Sequence, residues 1–99
     1  MASYSEFLIP IRRLSILELL YDSQGKANDK VLQDGLDRMG FSRVSRAQIR
    51  DDIRFLIDNG CVIDHWVGDI CVVEITHRGV DVAQGREIID GVKQPEIGV

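Results

Sequence analysis

The hydrophobic pattern of the chain changes its period at Gly60. Before this glycine, apolar residues recur at i, i+4, i+7 and i+8, the spacing of one helical face. These residues are Ile49, Ile53, Leu56 and Ile57. After it, the stretch "VIDHWVGDICVVEI" is rich in β-branched residues and is divided by Gly68-Asp69, a pair that suits a two-residue type II′ turn. The pattern predicts a helix followed directly by a β-hairpin.

The start of the helix and the register of the hairpin can both be predicted. Ser45 and Gln48 have the spacing of a capping box, in which each side chain accepts a hydrogen bond from the other residue's backbone N–H. With Gly68 and Asp69 as the loop, the expected cross-strand pairs are Trp66 with Cys71, Asp64 with Val73, and Val62 with Ile75. Because side chains alternate along a strand, one face should pack on the core, with Asp64 at its rim. The expected core-facing residues are Val62, Trp66, Cys71, Val73 and Ile75.

Three further helices flank this unit. The first is predicted over residues 8–22 with Pro10 in its first turn, and the second over 29–39 with Asn28 as its N-cap. Thr76 caps a short fourth helix that ends at Gly85. The order is that of a winged helix-turn-helix, an α+β fold with a three-helix core, a two-stranded β-hairpin wing and a short C-terminal helix. We expect this domain to span residues 1–85, and residues 86–99 to form an extended or partly disordered tail.

Three stretches of the sequence resemble known proteins. "VSRAQIRDDIRFLIDNGCV", residues 44–62, resembles the helix-turn-helix signature of DeoR-type bacterial regulators. "EITHRGVDVAQG" is similar to the strand and Thr-x-x-Gly helix that follow the wing in many small bacterial regulators, and "GREIIDGVKQPE" resembles small ArsR-like winged-helix proteins of Mu-like phages. The resemblance implies DNA binding and transcription regulation by a phage or prophage protein. Asp51 departs from the DeoR-type pattern, which has a second basic residue there, and the connection "MGFSRVS" is longer than in that family.

A row of arginines follows one flank of the predicted third helix. At 100° per residue, Arg46, Arg50 and Arg54 form one ridge beside the apolar stripe, with Arg43 upstream, and Phe55 is the exposed apolar residue. Placed in the major groove of double-stranded DNA, this helix would use six residues near the ridge. They are Arg43, Ser45, Arg46, Gln48, Arg50 and Arg54. The alternative is a solvated face with ion pairs such as Arg54 with Asp58, on a winged helix that binds protein rather than DNA.

The net charge restricts how such a protein can approach DNA. The chain has 12 basic and 16 acidic residues, and its net charge of −4 repels phosphates on average. A DNA contact must therefore come from a local basic patch. The predicted wing has no Lys or Arg from Val62 to Ile75, and His65 is its one possible cation. We expect the wing not to contact DNA.

Cysteine and histidine residues around the hairpin suggest a zinc site by spacing alone. Cys61 and His65 form C-x3-H, and Cys71 and His77 form C-x5-H. The predicted register places His65 and Cys71 on opposite faces, and separates Cys61 from Cys71 too far for a disulfide. We therefore expect no metal, no cofactor and two free thiols. The sequence contains none of the Gly-rich phosphate loop, G-x-S-x-G or H-E-x-x-H motifs, so we expect no enzyme activity.

Apolar residues outside the core pattern raise the question of self-association. Phe55 either covers a neighbouring loop or marks a partner surface, and Ile88, Ile89 and Val92 lie in the tail. Together they lead us to expect a homodimer. No apolar run is long enough to span a membrane and the first residues lack a secretion signal, so we expect a cytoplasmic protein.

Overall fold

The computed structural model describes residues 3–41 and 43–96 and consists of four helices and one antiparallel sheet. The elements follow in the order α1 (Tyr4–Asp22), β1 (Lys26–Asn28), α2 (Asp29–Arg38), α3 (Arg46–Asp58), β2 (Val62–Val67), β3 (Ile70–Ile75) and α4 (His77–Ala83). This is the predicted α+β architecture of a three-helix core, a hairpin wing and a short fourth helix. We call the hairpin of β2 and β3, residues 62–75, the wing.

The first helix begins one turn earlier than the sequence predicts. Ser3 is its N-cap and accepts a hydrogen bond from the backbone N–H of Glu6 at 3.2 Å. Pro10 therefore lies inside the helix rather than in its first turn. A proline within a helix removes one backbone hydrogen bond. The early serine cap and the long apolar face of α1 outweigh that local loss.

The sheet has three strands, not the two that were predicted. The additional strand β1 pairs with β3 in the register Lys26 with Glu74, Ala27 with Val73, and Asn28 with Val72, giving the strand order β1-β3-β2. The three residues of β1 are too few for an alternating pattern to be recognised. The strand forms because the turn after α1 brings this segment against β3, where its backbone groups find partners.

The predicted register of the wing is confirmed. Val62 pairs with Ile75, Asp64 with Val73, and Trp66 with Cys71. Gly68 has φ of 61°, which the first position of a type II′ turn requires. The prediction that Trp66 belongs to the core is wrong, since 53% of its surface is exposed. Its cross-strand partner Cys71 is buried, so at this level of the wing the core covers β3 and leaves the Trp66 side chain of β2 outside.

The core consists of the inner faces of the helices, the base of the wing and part of the tail. Its fully buried large residues come from all three core helices and from β2 and β3: Ile16, Leu17, Leu20, Leu32, Leu36, Ile49, Leu56, Val62 and Val73. Residues 86–96 form neither helix nor strand, yet Ile89 and Val92 are buried in the same core. The N–H of Lys93 donates to the carbonyl of Pro10 at 3.0 Å, which ties this segment to α1. The expected domain boundary at residue 85 stays a prediction.

Within residues 3–41 and 43–96, no helix has the length and hydrophobicity needed to cross a membrane.

Candidate nucleic-acid interface

The third helix begins where the sequence predicts. The backbone N–H of Gln48 donates to the Ser45 hydroxyl at 3.1 Å, and the Ser45 N–H donates to the Gln48 side-chain oxygen at 2.9 Å. Both halves of the capping box are therefore present. Ser45 and Gln48 are exposed at the helix start, but their side chains already satisfy the helix's own free backbone groups. Their predicted contact with DNA would come in addition to this capping role.

Two arginines of α3 converge on one buried carboxylate of α2. The Nη2 atoms of Arg46 and Arg50 both donate to Oδ2 of Asp29, each at 3.1 Å. Asp29 is only 2% exposed, whereas the side chains of Arg46 and Arg50 are 52% and 42% exposed. The two guanidinium groups are thus held side by side at the protein surface, one helical turn apart.

The charge state of Asp29 follows from these contacts. Burial by itself raises the pKa of this carboxyl, because it disfavours the ionised form. The hydrogen bonds and positive charges of Arg46 and Arg50 act in the opposite direction, and the net effect is a pKa below the ordinary value of 3.8. Asp29 is therefore ionised at neutral pH and compensates part of the charge of the two arginines.

The wing approaches α3 through its tryptophan. The Arg50 guanidinium lies 5.1 Å from the centroid of the Trp66 ring, within the range of a cation–π contact. The indole Nε1 donates to Oδ2 of Asp64 at 3.0 Å. A cleft of about 470 Å³ separates α3 from the wing here, and Asp51, Asp58 and Asp64 are among the residues that line it. Arg50 and Arg54 line it as well, so carboxylates and guanidinium groups lie together in this cleft.

The remaining arginines of the predicted ridge are both exposed. Arg43 precedes α3 and has φ of 65°, a left-handed conformation that is uncommon outside glycine. Arg54 lies in the second half of α3 and lines the cleft between α3 and the wing. Among residues 3–41 and 43–96, Arg54 forms no ion pair, so the predicted pair with Asp58 is not formed. We call Arg43, Arg46, Arg50 and Arg54 the arginine ridge.

Asp52 of α3 is a buried aspartate that binds two arginines of α1. It accepts hydrogen bonds from the Nε atoms of Arg12 and Arg13, the latter at 3.1 Å, and it is only 1% exposed. The Arg13 guanidinium also lies 3.7 Å from the centroid of the Phe55 ring and donates to the carbonyl of Gly91 at 3.2 Å. Phe55 is half-buried, and its ring lies against Gly91 of the tail. This network fixes α3 to α1 and to the tail.

The residues considered for zinc lie apart. Cys61 and Cys71 are free and buried, and burial is the main reason that the pKa of each thiol is raised. His65 lies on the opposite face of the wing from Cys71, with Nε2 3.6 Å from Glu74. The described part of the chain contains no group of three or more metal-ligating side chains.

Asp29 is the site residue that sequence analysis missed. An aspartate in the first turn of a helix is usually explained by the helix dipole. The available signal was weak: Asp29 is the first residue after the Asn28 cap, and its contact with α3 depends on how the two helices cross.

Comparison with known proteins places the chain in a family. No family model matches it. It is 41% identical over 91 residues to the uncharacterized protein gp26 of Escherichia phage Mu, covering 92% of this chain and 94% of gp26. The chain belongs to the family of phage Mu gp26. The expected resemblance to proteins of Mu-like phages has a counterpart in this relative, whereas the DeoR-type and ArsR-like assignments are not supported.

A solved structure gives the fold independently. F93 from STIV, described as a winged-helix DNA-binding protein, superposes with a TM-score of 0.64 at 20% sequence identity. The match covers 74% of this chain and 79% of F93. At this level of identity the likeness shows the fold alone, and it confirms the predicted winged helix.

Proposed function

We propose that the chain is a DNA-binding transcription regulator of a phage or prophage that places the first half of α3 in the major groove. The observation that supports this proposal most strongly is the exposed pair of Arg46 and Arg50. Asp29 holds the two side chains one turn apart near the capped start of that helix. Recognition helices of this fold contact base edges chiefly with their N-terminal residues. Arginine is also the side chain best suited to guanine, because it can donate to O6 and N7 together.

The distribution of charge supports contact by the first half of the helix only. Arg43, Arg46 and Arg50 lie at or before the middle of α3. The cleft toward the wing is lined by Asp51, Asp58 and Asp64 together with Arg50 and Arg54. The carboxylates there offset the attraction of Arg50 and Arg54 for phosphates, and the wing has no Lys or Arg to add to it. We therefore propose Arg43, Arg46 and Arg50 as the principal DNA contacts, with Ser45 and Gln48 beside them and Arg54 at the margin.

We also propose that the protein binds DNA as a homodimer. Burial of Ile89 and Val92 removes them from the expected dimer surface, but Ile88 remains 69% exposed. At the start of α1, Tyr4 and Phe7 are 76% and 64% exposed. Two recognition helices on one duplex would offset the weak contact that one subunit makes. Sedimentation equilibrium at high micromolar concentration should give twice the monomer mass of 11.2 kDa, and a monomer there would contradict the proposal.

Selection from a library of randomised 20-base-pair duplexes tests the proposed reading of sequence. The wild type should enrich a motif. Arg50→Ala should lose discrimination at one position of that motif by about 1–3 kcal/mol. Arg86→Ala is the matched control, because Arg86 is 60% exposed and paired with Asp81 away from α3. Loss of discrimination in both variants, or failure of the wild type to enrich any motif, would contradict the proposal.

Binding to a protein instead of DNA is the second candidate, and the wing favours it. Ile63, Trp66, Val67 and Ile70 are each 45% exposed or more, and no Lys or Arg lies among them. Such a surface suits a protein partner better than a phosphate backbone. Absence of DNA binding at low salt by the wild type would favour this function over the first.

A further inference from the structure

Asp29 connects the two arginines that the proposed function requires. A single atom, Oδ2, accepts one hydrogen bond from each guanidinium at 3.1 Å. The carboxylate is 2% exposed and belongs to α2, so DNA lying along α3 would reach the arginines before it reached Asp29. An arginine has five N–H donors. Each guanidinium therefore keeps further donors, and about half of each side chain is open to solvent.

Arg50 is restrained from a second direction. The Trp66 ring lies 5.1 Å from its guanidinium, and Trp66 is itself oriented by the hydrogen bond from Nε1 to Asp64. Surface arginines normally sample many rotamers and lose that freedom on binding. With Asp29 on one side and Trp66 on the other, much of this loss has already occurred in the free protein.

We propose that Asp29 is the specificity-determining positioning residue of this surface. It fixes the spacing of Arg46 and Arg50, so that only duplexes presenting acceptors at that spacing satisfy both guanidiniums. It also competes with phosphates for the same donors, and it thereby lowers affinity for DNA of arbitrary sequence. This inference rests on the proposed function.

The variant Asp29→Asn separates these effects, because it keeps the side-chain size and removes the charge. The released arginines gain mobility and one uncompensated positive charge. Affinity for an unselected pool of 20-base-pair duplexes should therefore rise, while affinity for the duplex selected by the wild type should fall. Selectivity is the dissociation constant for the unselected pool divided by that for the selected duplex. We expect this ratio to fall by roughly tenfold or more in Asp29→Asn.

Asp34→Asn is the matched control. Asp34 is an exposed residue of the same helix, and its replacement changes the net charge by the same amount. This variant should keep the ratio of the two dissociation constants within about twofold of the wild-type value. Asp29→Glu should keep the low affinity for the unselected pool, because it retains a carboxylate, but should lose part of the selectivity, because it is longer. A purely structural role of Asp29 would weaken binding to both probes equally, in proportion to lost stability.

A readout without DNA accompanies the binding assays. Trp66 is the only tryptophan of the chain, so its emission reports on the neighbouring Arg50 guanidinium. Asp29→Asn should change this emission and Asp34→Asn should not.

The outcomes distinguish the inference from the function on which it rests. A wild type that binds neither probe contradicts the proposed function and the inference together. A wild type that discriminates between the probes, with Asp29→Asn behaving like Asp34→Asn, overturns the inference alone. Should Asp29→Asn fail to fold, an Asp29→Glu variant that binds the unselected pool more tightly than the wild type would also overturn it.

Discussion

Asp52 is buried against two arginines of α1. Its carboxylate accepts from Arg12 and Arg13, so replacement by Asn leaves two largely buried guanidiniums without a compensating charge. We expect Asp52→Asn to lower the free energy of unfolding by about 3–5 kcal/mol. The adjacent Asp51 is exposed, and Asp51→Asn should change the free energy of unfolding by less than about 0.5 kcal/mol. Urea unfolding followed by circular dichroism measures both, and equal losses would contradict this account of the buried cluster.

Asp29 should also make stability depend on acid pH. Its folded-state pKa lies below the ordinary value of 3.8, so the unfolded chain binds a proton more readily than the folded one. The stabilising contribution is therefore present above about pH 4 and is lost as the pH falls through the lower, folded-state pKa. Urea unfolding between about pH 5 and pH 3 should show a smaller loss for Asp29→Asn than for the wild type. Parallel curves for the two proteins would show that the carboxylate is not ion-paired in solution.

At the residue scale, sequence analysis predicted local relations and missed distant ones. Ser45 and Gln48 are three residues apart, so their mutual capping depends only on the helix between them. The partners of Asp29 and Asp52 come from other helices, 17 to 40 residues away. Helical geometry gives the direction of a side chain but not the element that covers it. For this reason Phe55 was expected to be more exposed than it is.

At the scale of elements, α4 packs so closely on the base of the wing that one position requires glycine. A Cβ atom added at Gly79 would lie 2.2 Å from the carbonyl oxygen of Cys61 and 2.6 Å from Cγ1 of Ile75. Alanine favours helix by about 1 kcal/mol over glycine. We nevertheless expect Gly79→Ala to destabilise the fold by about 3 kcal/mol or more, because backbone must move.

Gly68 provides the comparison for this variant. An added Cβ would meet nothing within 4 Å there, but φ is 61°. Gly68→Ala should cost only the left-handed strain of about 1–2 kcal/mol. Thermal melting of the two variants measures the difference, and a Gly79→Ala variant as stable as the wild type would contradict the close packing of α4.

The helices and strands with a clear hydrophobic period were predicted from the sequence, whereas the strand β1, which has no such period, was not. The capped third helix and the hairpin have long, clear patterns, and both appear with the expected start and register. The strand β1 has only three residues and depends on β3 for its hydrogen bonds. Its formation is a property of the folded sheet rather than of the local sequence.

For the whole molecule, the positions of the charged residues bear more on the proposed DNA binding than the net charge does. The net charge is −4, yet Arg43, Arg46 and Arg50 lie together at the first half of α3. The cleft beside the wing holds Asp51, Asp58 and Asp64 together with Arg50 and Arg54. The proposed binding of DNA therefore rests on a small area, and we expect it to be weak for each chain and sensitive to salt. The net charge leads to this expectation, whereas the contact of Arg46 and Arg50 with Asp29 follows only from the packing of α2 against α3.

Fluorescence anisotropy over a salt series tests most directly whether the arginines of α3 form the DNA surface. The wild type should bind a labelled duplex with a log-log salt slope of about −3 per subunit, and Arg46→Ala/Arg50→Ala should reduce the magnitude of that slope by about 1–2. The control Arg78→Ala/Arg86→Ala removes two comparably exposed arginines that are paired with Glu87 and Asp81, and it should leave the slope unchanged. Equal slopes and affinities for the wild type and the α3 variant would contradict the proposal that this helix binds DNA.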